Sequence, residues 1–366
     1  MTTERYIRWI LSAVCGLAVI LLVDKLTDRL NKKWQLAIIF IIKAFAGMFL
    51  AYELISTSSA FVWKHNYIMS GLYIALLSDC IADLIRSIIS FFWKERPAYF
   101  RYCLTAAVTL IVFVYGTLNM SMVRAHELVY RSDKVKYEHS FVFLSDLHYG
   151  TPQSQKTVEK ALKDIKDLDP DFIVLGGDIT DENTTKEEMK WIYDRLALLD
   201  IPVYYIYGNH DRQGRGYYFG GSNYTEEELA QTITDNGIFI LQDEYVMISE
   251  DLVLLGREDP SCESRLEVSK LKPWPKESYV ISIEHNPYLN DDILKTDADL
   301  QLSGHTHAGQ YFPLRFVYML ARLNVVGEYR IGNTDLYVSP GIGGWGMPFR
   351  NESRSQFEYV HIMPQE

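Results

Sequence analysis

Five short motifs in the C-terminal two thirds of the chain combine carboxylates, imidazoles and an amide. Each one follows an apolar run that is typical of a buried β-strand. The motifs are Asp146-Leu147-His148, Gly177-Asp178, Gly208-Asn209-His210-Asp211, Glu284-His285-Asn286 and Gly304-His305-Thr306-His307. The candidate metal ligands in them are Asp146, His148, Asp178, Asn209, His285, His305 and His307, with His210 as a further histidine. Such a set can hold two divalent cations side by side, an arrangement that cleaves phosphate esters.

A chance origin of these motifs is a weak explanation because histidine is rare in the chain. One Asp-x-His or Gly-Asp pair is common in turns, and a single histidine after a strand is usually structural. The chain has 9 histidines in all. Five of them lie in the motifs, namely His148, His210, His285, His305 and His307. The ordered set therefore favours a functional site.

The ligand types indicate which metals fit. Carboxylate, imidazole and amide groups suit Mn²⁺, Fe and Zn²⁺, and the lack of a thiolate argues against a structural zinc site. Two metals about 3.5–4 Å apart need a ligand that bridges them, and a carboxylate can do so. Asp178 is central in the sequence, and Gly176-Gly177 before it allow close backbone approach. We predict that Asp178 is the bridge.

The ordered motifs resemble those of the calcineurin-like metallophosphoesterase superfamily over roughly residues 141–363. The resemblance implies two divalent metal ions per chain and a hydrolase that acts on phosphate ester or anhydride bonds. It implies that Asp146, His148, Asp178 and His307 hold one metal. It also implies that Asp178, Asn209, His285 and His305 hold the other.

His210 is implied to be catalytic rather than a ligand. In the family, the histidine of Gly-Asn-His acts on the phosphate or as general acid to the leaving oxygen, and its charged form has an acid nearby. Asp181, three residues after Asp178, matches the position of that acid, and Asp211 is the alternative. We therefore predict His210 and Asp181 as the catalytic residues.

The C-terminal tail narrows the resemblance. It reads Ser-Pro-Gly-Ile-Gly-Gly-Trp-Gly over 339–346 and then Pro-Phe-Arg over 348–350. This resembles the bacterial branch of membrane-anchored or exported enzymes that includes UDP-diacylglucosamine pyrophosphatase-like members. Arg350 is predicted to bind a substrate phosphate through its planar fork. A salt bridge that closes the loop is the alternative.

The C-terminal part alternates strand-like and helical runs. Apolar runs at 141–144, 172–175 and 202–207 alternate with helical spacing at 158–168, 185–199 and 226–234. Further strand-like runs follow at 237–241, 245–249, 252–256, 279–283, 299–302, 335–338 and 358–363. This predicts an α/β domain over 141–366, preceded by a linker at 121–140. The resemblance makes the domain a two-sheet β-sandwich flanked by helices.

Residues 1–120 have a different composition, with 12 basic and 7 acidic residues against 24 and 40 in the rest. Apolar runs at 7–23, 34–55, 67–92 and 99–120 predict an all-α transmembrane bundle of about four helices in a lipid bilayer. The third run carries Asp79, Asp83 and Arg86 on one helical face. That face either looks into the bundle or lies at the membrane interface.

Charge also bears on partners and topology. The acidic C-terminal part repels polyanions, so no nucleic acid is expected to bind. The segments 24–33 and 84–101 each carry four Lys or Arg residues. With four spans, the positive-inside rule places both segments in the cytoplasm. The chain would then be a multi-pass cell-membrane protein whose catalytic domain is extracytoplasmic. Arg124, Arg131, Lys134 and Lys136 argue against this, and the domain changes side if 67–92 does not span.

The sequence says least about the substrate. Residues 212–224 could form a lip in which Tyr217, Tyr218 and Phe219 meet the substrate, or could pack under their loop. The insert 311–326 could lie on the bilayer or pack in the core. We predict a phosphodiester, phosphomonoester or pyrophosphate substrate that is lipid-linked or in the envelope. The alternatives are a catalytically silent scaffold and a membrane sensor.

Overall fold

The computed structural model of the chain describes residues 3–27, 33–56, 66–93, 99–150, 152–213 and 221–365. Four long helices come first: α1 (Thr3–Thr27), α2 (Lys33–Ser56), α3 (Asn66–Phe92) and α4 (Phe100–Ser121). Each is long and apolar enough to cross a membrane. The predicted helical bundle is therefore confirmed, with α3 among the four candidate spans.

Helices α1 and α3 cross closely because both lack side chains at the crossing point. A Cβ atom on Gly16 would collide with the backbone of Gly71, and a Cβ on Gly71 would collide with the backbone of Ser12. Small residues at helix crossings allow this close approach in membranes, where no hydrophobic force drives helices together. The crossing fixes α1 against α3.

The charged face of α3 looks into the bundle. Asp79 is fully buried, and its Oδ1 accepts a hydrogen bond from Thr105 Oγ1 at 2.9 Å. Lys43 of α2 pairs with Asp79 and lies 2.9 Å from Asp24 Oδ1 of α1. Charged groups inside a bilayer are costly unless they are paired in this way. Of the two predicted environments, the structure shows the bundle interior.

The rest of the described chain forms two six-stranded sheets flanked by helices, which confirms the predicted fold class. The strands are β1 (Arg124–Ser132), β2 (His139–Leu144), β3 (Phe172–Leu175), β4 (Val203–Tyr205), β5 (Phe239–Ile240), β6 (Glu244–Met247), β7 (Leu252–Gly256), β8 (Tyr279–Ile283), β9 (Leu300–Ser303), β10 (Gly327–Ile331), β11 (Thr334–Val338) and β12 (Gln356–Pro364). The first sheet has the order β1-β12-β2-β3-β4-β5, and the second has the order β10-β11-β9-β8-β7-β6.

Both sheets have a parallel centre. Strands β2 to β5 are parallel to one another, as are β7, β8, β9 and β11. Alternate residues of β2 and β3 face opposite sides, as the pleat requires. Phe141 and Val174 pack against the second sheet, whereas Val142 and Ile173 pack against helices. The helices are α5 (Gln155–Asp167), α6 (Lys186–Ala197) and α7 (Glu226–Asp235), and the shorter α8 (Asn290–Thr296) and α9 (Leu314–Leu320) follow.

The predicted linker at 121–140 is wrong for most of its length, because residues 124–132 form β1. This strand pairs in parallel with β12 at the edge of the first sheet. Leu128 is its one buried residue, so β1, like β10, lacks the apolar run by which the other ten strands were predicted. The C-terminal domain thus begins almost directly after α4.

The domain rests on one end of the bundle. The indole Nε1 of Trp9 in α1 donates to Thr117 Oγ1 of α4 at 3.1 Å. The Trp9 ring also packs against Phe349 of the domain, with centroids 5.9 Å apart. At the start of α3, the Tyr73 hydroxyl donates to the Phe312 carbonyl at 2.8 Å. The domain therefore lies at the end of the bundle where α1 and α3 begin and α4 ends.

Candidate metal centre

Each of the five motifs follows the carboxyl end of a strand, as the sequence predicts. Asp146 and His148 follow β2, and Asp178 follows β3. Asn209 and His210 follow β4, His285 follows β8, and His305 and His307 follow β9. Loops beyond the carboxyl ends of parallel strands meet at one edge of a sheet, where ligands bind. Here both sheets contribute to that edge.

The backbone at these loops is strained. Five of the predicted ligands have a left-handed backbone: Asp146 (φ 54°), His148 (φ 46°), Asp178 (φ 53°), His305 (φ 71°) and His307 (φ 44°). Non-glycine residues are uncommon in this region, and strain of this kind concentrates at functional sites. The left-handed residues turn the chain sharply just after β2, β3 and β9.

Two clusters of ligand groups result. One holds Asp146, His148, Asp178 and His307, and the other holds Asp178, His285 and His305. Within each cluster, one ligand atom per residue lies within 4.8 Å of the others. The structure thus brings together two sets that share Asp178, as the sequence predicts. Their roles as ligands stay a prediction.

Two atoms at the shared centre of the clusters make no hydrogen bond with the described protein groups. Asp178 Oδ2 and His285 Nε2 are buried without a hydrogen bond, although they lie 3.0 Å apart. The Nε2 atoms of His148 and His307 face each other at 3.2 Å. Buried polar atoms are rarely left unsatisfied, and a divalent cation would satisfy these. The residues therefore fit the implied metals.

Neighbouring groups fix the orientation of the ligands. His285 Nδ1 donates to the Gly176 carbonyl at 2.8 Å, which turns Nε2 toward Asp178. The other oxygen of Asp178, Oδ1, accepts the backbone N–H of His210 at 2.8 Å. Asn209 Oδ1 lies 2.8 Å from Nδ1 of His305. Asn209, the seventh predicted ligand, thus lies beside the second cluster.

The carboxylates attract positive charge to the clusters. Imidazoles, led by His285, hold the pKa of Asp178 well below its usual range, although its burial acts in the opposite direction. Burial alone would lower the pKa of His148, but Asp181, Asp178 and Asp146 raise it to about 9. The protonated form of His148 is therefore favoured when no cation is bound, and cation binding would release that proton.

His210 contacts a different acid from the one predicted. Its Nδ1 lies 2.8 Å from Oε2 of Glu182, and both residues are buried. Asp181 Oδ2 instead lies 3.3 Å from Nδ1 of His148. Asp181 Oδ1 accepts the backbone N–H of Asn183 at 2.7 Å, which closes the turn. The structure thus pairs His210 with Glu182, the residue that follows the predicted partner Asp181.

Asp211, the alternative partner, has a structural role. Its carboxylate accepts the backbone N–H groups of Asp178 at 2.7 Å, Ile179 at 3.0 Å, Thr180 at 3.0 Å and Gly208 at 2.7 Å. These bonds join the loop after β3 to the loop after β4. Asp211 therefore positions Asp178 and His210 through the backbone.

Arg350 is fully buried, and its described contacts favour loop closure over the predicted contact with substrate. The guanidinium donates to Ser353 Oγ at 2.6 Å, to the Pro340 carbonyl at 2.9 Å and to the Gly343 carbonyl. Burial lowers the pKa of Arg350 to about 10. The loop is closed by hydrogen bonds to backbone carbonyls and a hydroxyl.

Trp345 is a site residue that the sequence analysis did not single out. Its ring lies 4.1 Å from the His210 ring and 5.0 Å from the His148 ring, measured between centroids. The glycine-rich tail that contains it was noticed, but nothing in its pattern showed where the indole would lie. The predicted lip residues Tyr217, Tyr218 and Phe219 lie outside the described residues.

The family profile of the calcineurin-like phosphoesterases matches residues 139–309, which contain all five motifs. Residues 139–309 form a calcineurin-like phosphoesterase domain. A *Helicobacter pylori* protein described as an uncharacterized metallophosphoesterase is 28% identical over 239 residues, which are 63% of this chain and 62% of that protein. A *Danio rerio* transmembrane protein with metallophosphoesterase domain is 28% identical over 283 residues, covering 70% of this chain and 61% of that protein.

The phosphoesterase domain is also similar to a dimetal phosphatase from *Danio rerio* of known structure. The TM-score is 0.38 at 10% identity, and the match covers 56% of this chain and 88% of that one. The chain spans about three fifths of the length of the first curated relatives that it matches.

Proposed function

We propose that the chain is a membrane-anchored, dinuclear metal-dependent phosphoesterase. The observation that carries this proposal is Asp178, which belongs to both clusters and whose Oδ2, like Nε2 of His285, is buried without a hydrogen bond. Mn²⁺, Fe or Zn²⁺ bound there would supply Lewis acidity and a water molecule acidified enough to attack phosphorus. The name of the *Danio rerio* relative and the four apolar helices support the membrane anchor.

Within the site, His210 is proposed to transfer a proton to the leaving oxygen. A carboxylate only accepts hydrogen bonds, so the proton between Glu182 and His210 lies on Nδ1. Nε2 is then the nitrogen that gives or takes a proton. Trp345 packs on one face of the ring and limits its rotation. Proton transfer by a positioned group of this kind contributes about 10²- to 10⁴-fold to a rate.

The surroundings of the site support an amphiphilic, lipid-linked substrate. Helix α9 follows the last ligand motif closely and exposes Phe316, Met319 and Leu320, which are 59%, 54% and 69% exposed. Arg315 and Arg322 flank this apolar face. Apolar faces with basic flanks are typical of segments that lie on a bilayer. The proposed substrate is a phosphodiester, phosphomonoester or pyrophosphate held at the membrane surface.

We propose that the catalytic domain is extracytoplasmic. The starts of α1 and α3 share its side of the bundle, so the ends of these two helices, at Thr27 and Phe92, lie opposite, within the basic stretches 24–33 and 84–101 of the sequence. Positive-inside then places the opposite end in the cytoplasm. Reporter fusions at both ends test this, because a cytoplasmic signal from a C-terminal fusion would contradict it.

The proposed function is tested on the full chain in nanodiscs with defined metals. The panel is para-nitrophenyl phosphate, its bis ester, a nucleotide-sugar lipid and glycerophospholipids. We expect metal-dependent hydrolysis that His210→Ala reduces by at least about 10² while metal content stays near wild type. Metal binding without hydrolysis of any ester would instead support the silent scaffold.

A further inference from the structure

A cavity of about 300 Å³ lies between α2 and α3, directly under the phosphoesterase domain. Its walls include Phe40, Gly47 and Met48 of α2 and Leu77 of α3, and Phe312-Pro313 of the domain form its roof. The volume falls at the lower end of the range of ligand pockets, about 300–1,000 Å³. The cavity is therefore lined by both the membrane bundle and the catalytic domain.

The lining of this cavity fits an apolar ligand. Among the described residues that line it, Lys43 is the one that carries a charge, and its ammonium group is already paired with Asp24 and Asp79. Two further lining residues, Phe45 and Leu84, are 62% and 55% exposed on the outer surface of the bundle. The cavity thus opens on the side of the helices that faces lipid. A hydrocarbon chain can enter it from the bilayer.

The roof of the cavity is tied to the catalytic centre. Phe312 follows the ligand His307 by five residues. Tyr73, which lines the cavity, donates to the Phe312 carbonyl at 2.8 Å and accepts from Asn351 Nδ2 at 3.1 Å. The Tyr73 ring packs edge-on against Tyr311, with centroids 5.2 Å apart. These contacts fix the position of the cavity relative to the segment that carries the last predicted ligands.

We propose that this cavity binds one acyl chain of the substrate, while the phosphate of the same molecule lies at the metal centre. The proposal rests on the proposed function and names its substrate class, a phosphate-bearing acyl lipid. Continuity between the roof and the ligand segment is the reason for choosing the substrate chain over a chain of bulk lipid. A chain of bulk lipid would occupy the cavity equally well whether or not its molecule carried a phosphate.

The first test is photolabelling of the full chain in nanodiscs. The probe is phosphatidic acid with a diazirine at the end of one acyl chain, compared with the matching diacylglycerol. We expect labelled peptides from residues 40–48 and 73–84 with phosphatidic acid, and several-fold less labelling with diacylglycerol. Equal labelling by both probes, or no labelling of these peptides, would overturn the proposal.

The second test fills the cavity. A Cβ atom on Gly47 would meet its nearest neighbour, Leu76 Cβ, at 3.8 Å, an ordinary van der Waals contact, so the first carbon of a larger side chain is accommodated at this lining position. The measurement is the ratio of kcat/KM for dioleoyl over dihexanoyl phosphatidic acid. Gly47→Leu should lower this ratio about tenfold, the scale on which methylene groups matter in an apolar pocket. A wild-type ratio in this variant contradicts the acyl-chain site.

Ala107→Leu is the matched control, because Ala107 is exposed on α4 and does not line the cavity. It should leave both the ratio and the labelling at wild-type levels. If the wild-type protein hydrolyses neither lipid nor para-nitrophenyl phosphate, the proposed function fails. Phosphate-dependent labelling would then still establish a lipid site, so the two failures can be told apart.

Discussion

The carboxylate of Glu182 lies 2.8 Å from Nδ1 of His210, and the adjacent Asp181 faces Nδ1 of His148 at 3.3 Å. Two neighbouring acids in one turn thus serve two different histidines. The turn is fixed because Asp181 also accepts the backbone N–H of Asn183. Each acid is therefore expected to affect a different property of the site.

Glu182→Gln should lower kcat about 10- to 100-fold and leave metal content near wild type. An amide can present its N–H to Nδ1, which favours the wrong tautomer of His210, and loss of a group that orients an active-site histidine has effects of this size. The measurement is kcat for para-nitrophenyl phosphate together with metal analysis by mass spectrometry. Wild-type turnover in this variant would mean that Glu182 does not position His210.

Asp181→Asn should act on metal binding rather than on proton transfer. Loss of the carboxylate beside His148 removes a group that orients a predicted ligand, which typically costs about 10- to 100-fold in metal affinity. Titration with Mn²⁺ or Zn²⁺ measures this. Added metal should restore most of the activity of Asp181→Asn but not of Glu182→Gln.

Asp178→Asn should lose both metals and nearly all activity. Asp178 belongs to both clusters, so its replacement weakens both at once, whereas a change in an unshared ligand weakens one. Metal content per chain and hydrolysis are the measurements. Asp171→Asn is the control, because Asp171 is exposed and its hydrogen bonds within the described residues go to Ser140. One metal retained at full occupancy in Asp178→Asn would exclude the bridging role.

Arg350→Ala should lower the free energy of unfolding by about 2–6 kcal/mol, because buried carbonyl groups that lose their donor cost about 1–3 kcal/mol each. The groups affected are the carbonyls of Pro340 and Gly343. Thermal unfolding of the metal-loaded chain in detergent measures this. If stability is unchanged and KM rises instead, the original prediction of a substrate-binding arginine is favoured.

Glu358 should make the stability of the domain depend on pH. Burial raises the pKa of Glu358 to about 8, against about 4.3 for an exposed glutamate. The stabilising contribution of the protonated form is complete below about 4.3 and is lost as the pH rises through 8. Glu358→Gln should therefore raise Tm at pH 8.5 relative to wild type and change it little at pH 5. Glu328→Gln, at an exposed position of β10, is the control and should leave the pH profile unchanged.

The sequence by itself determined the reaction centre in outline. Each motif follows a local apolar run, and a strand places the residues after its carboxyl end at the edge of the sheet. The order Asp146, Asp178, Asn209, His285 and His305 could therefore be interpreted without knowing how the two sheets pack. The four apolar runs of the bundle were visible for a similar local reason, since a bilayer requires about 20 apolar residues.

Only the tertiary structure decided which neighbour each of these residues has. Glu182 and Asp181 are adjacent acids, and only the folded turn, in which Asp181 accepts the backbone N–H of Asn183, shows that Glu182 is the one that reaches His210. Strand β1 depends on pairing with β12, more than two hundred residues later, and has no apolar run of its own. Arg350 and the α2–α3 cavity likewise depend on contacts between distant segments. Such contacts leave no periodic signal in one sequence, because they arise from packing rather than from local backbone preference.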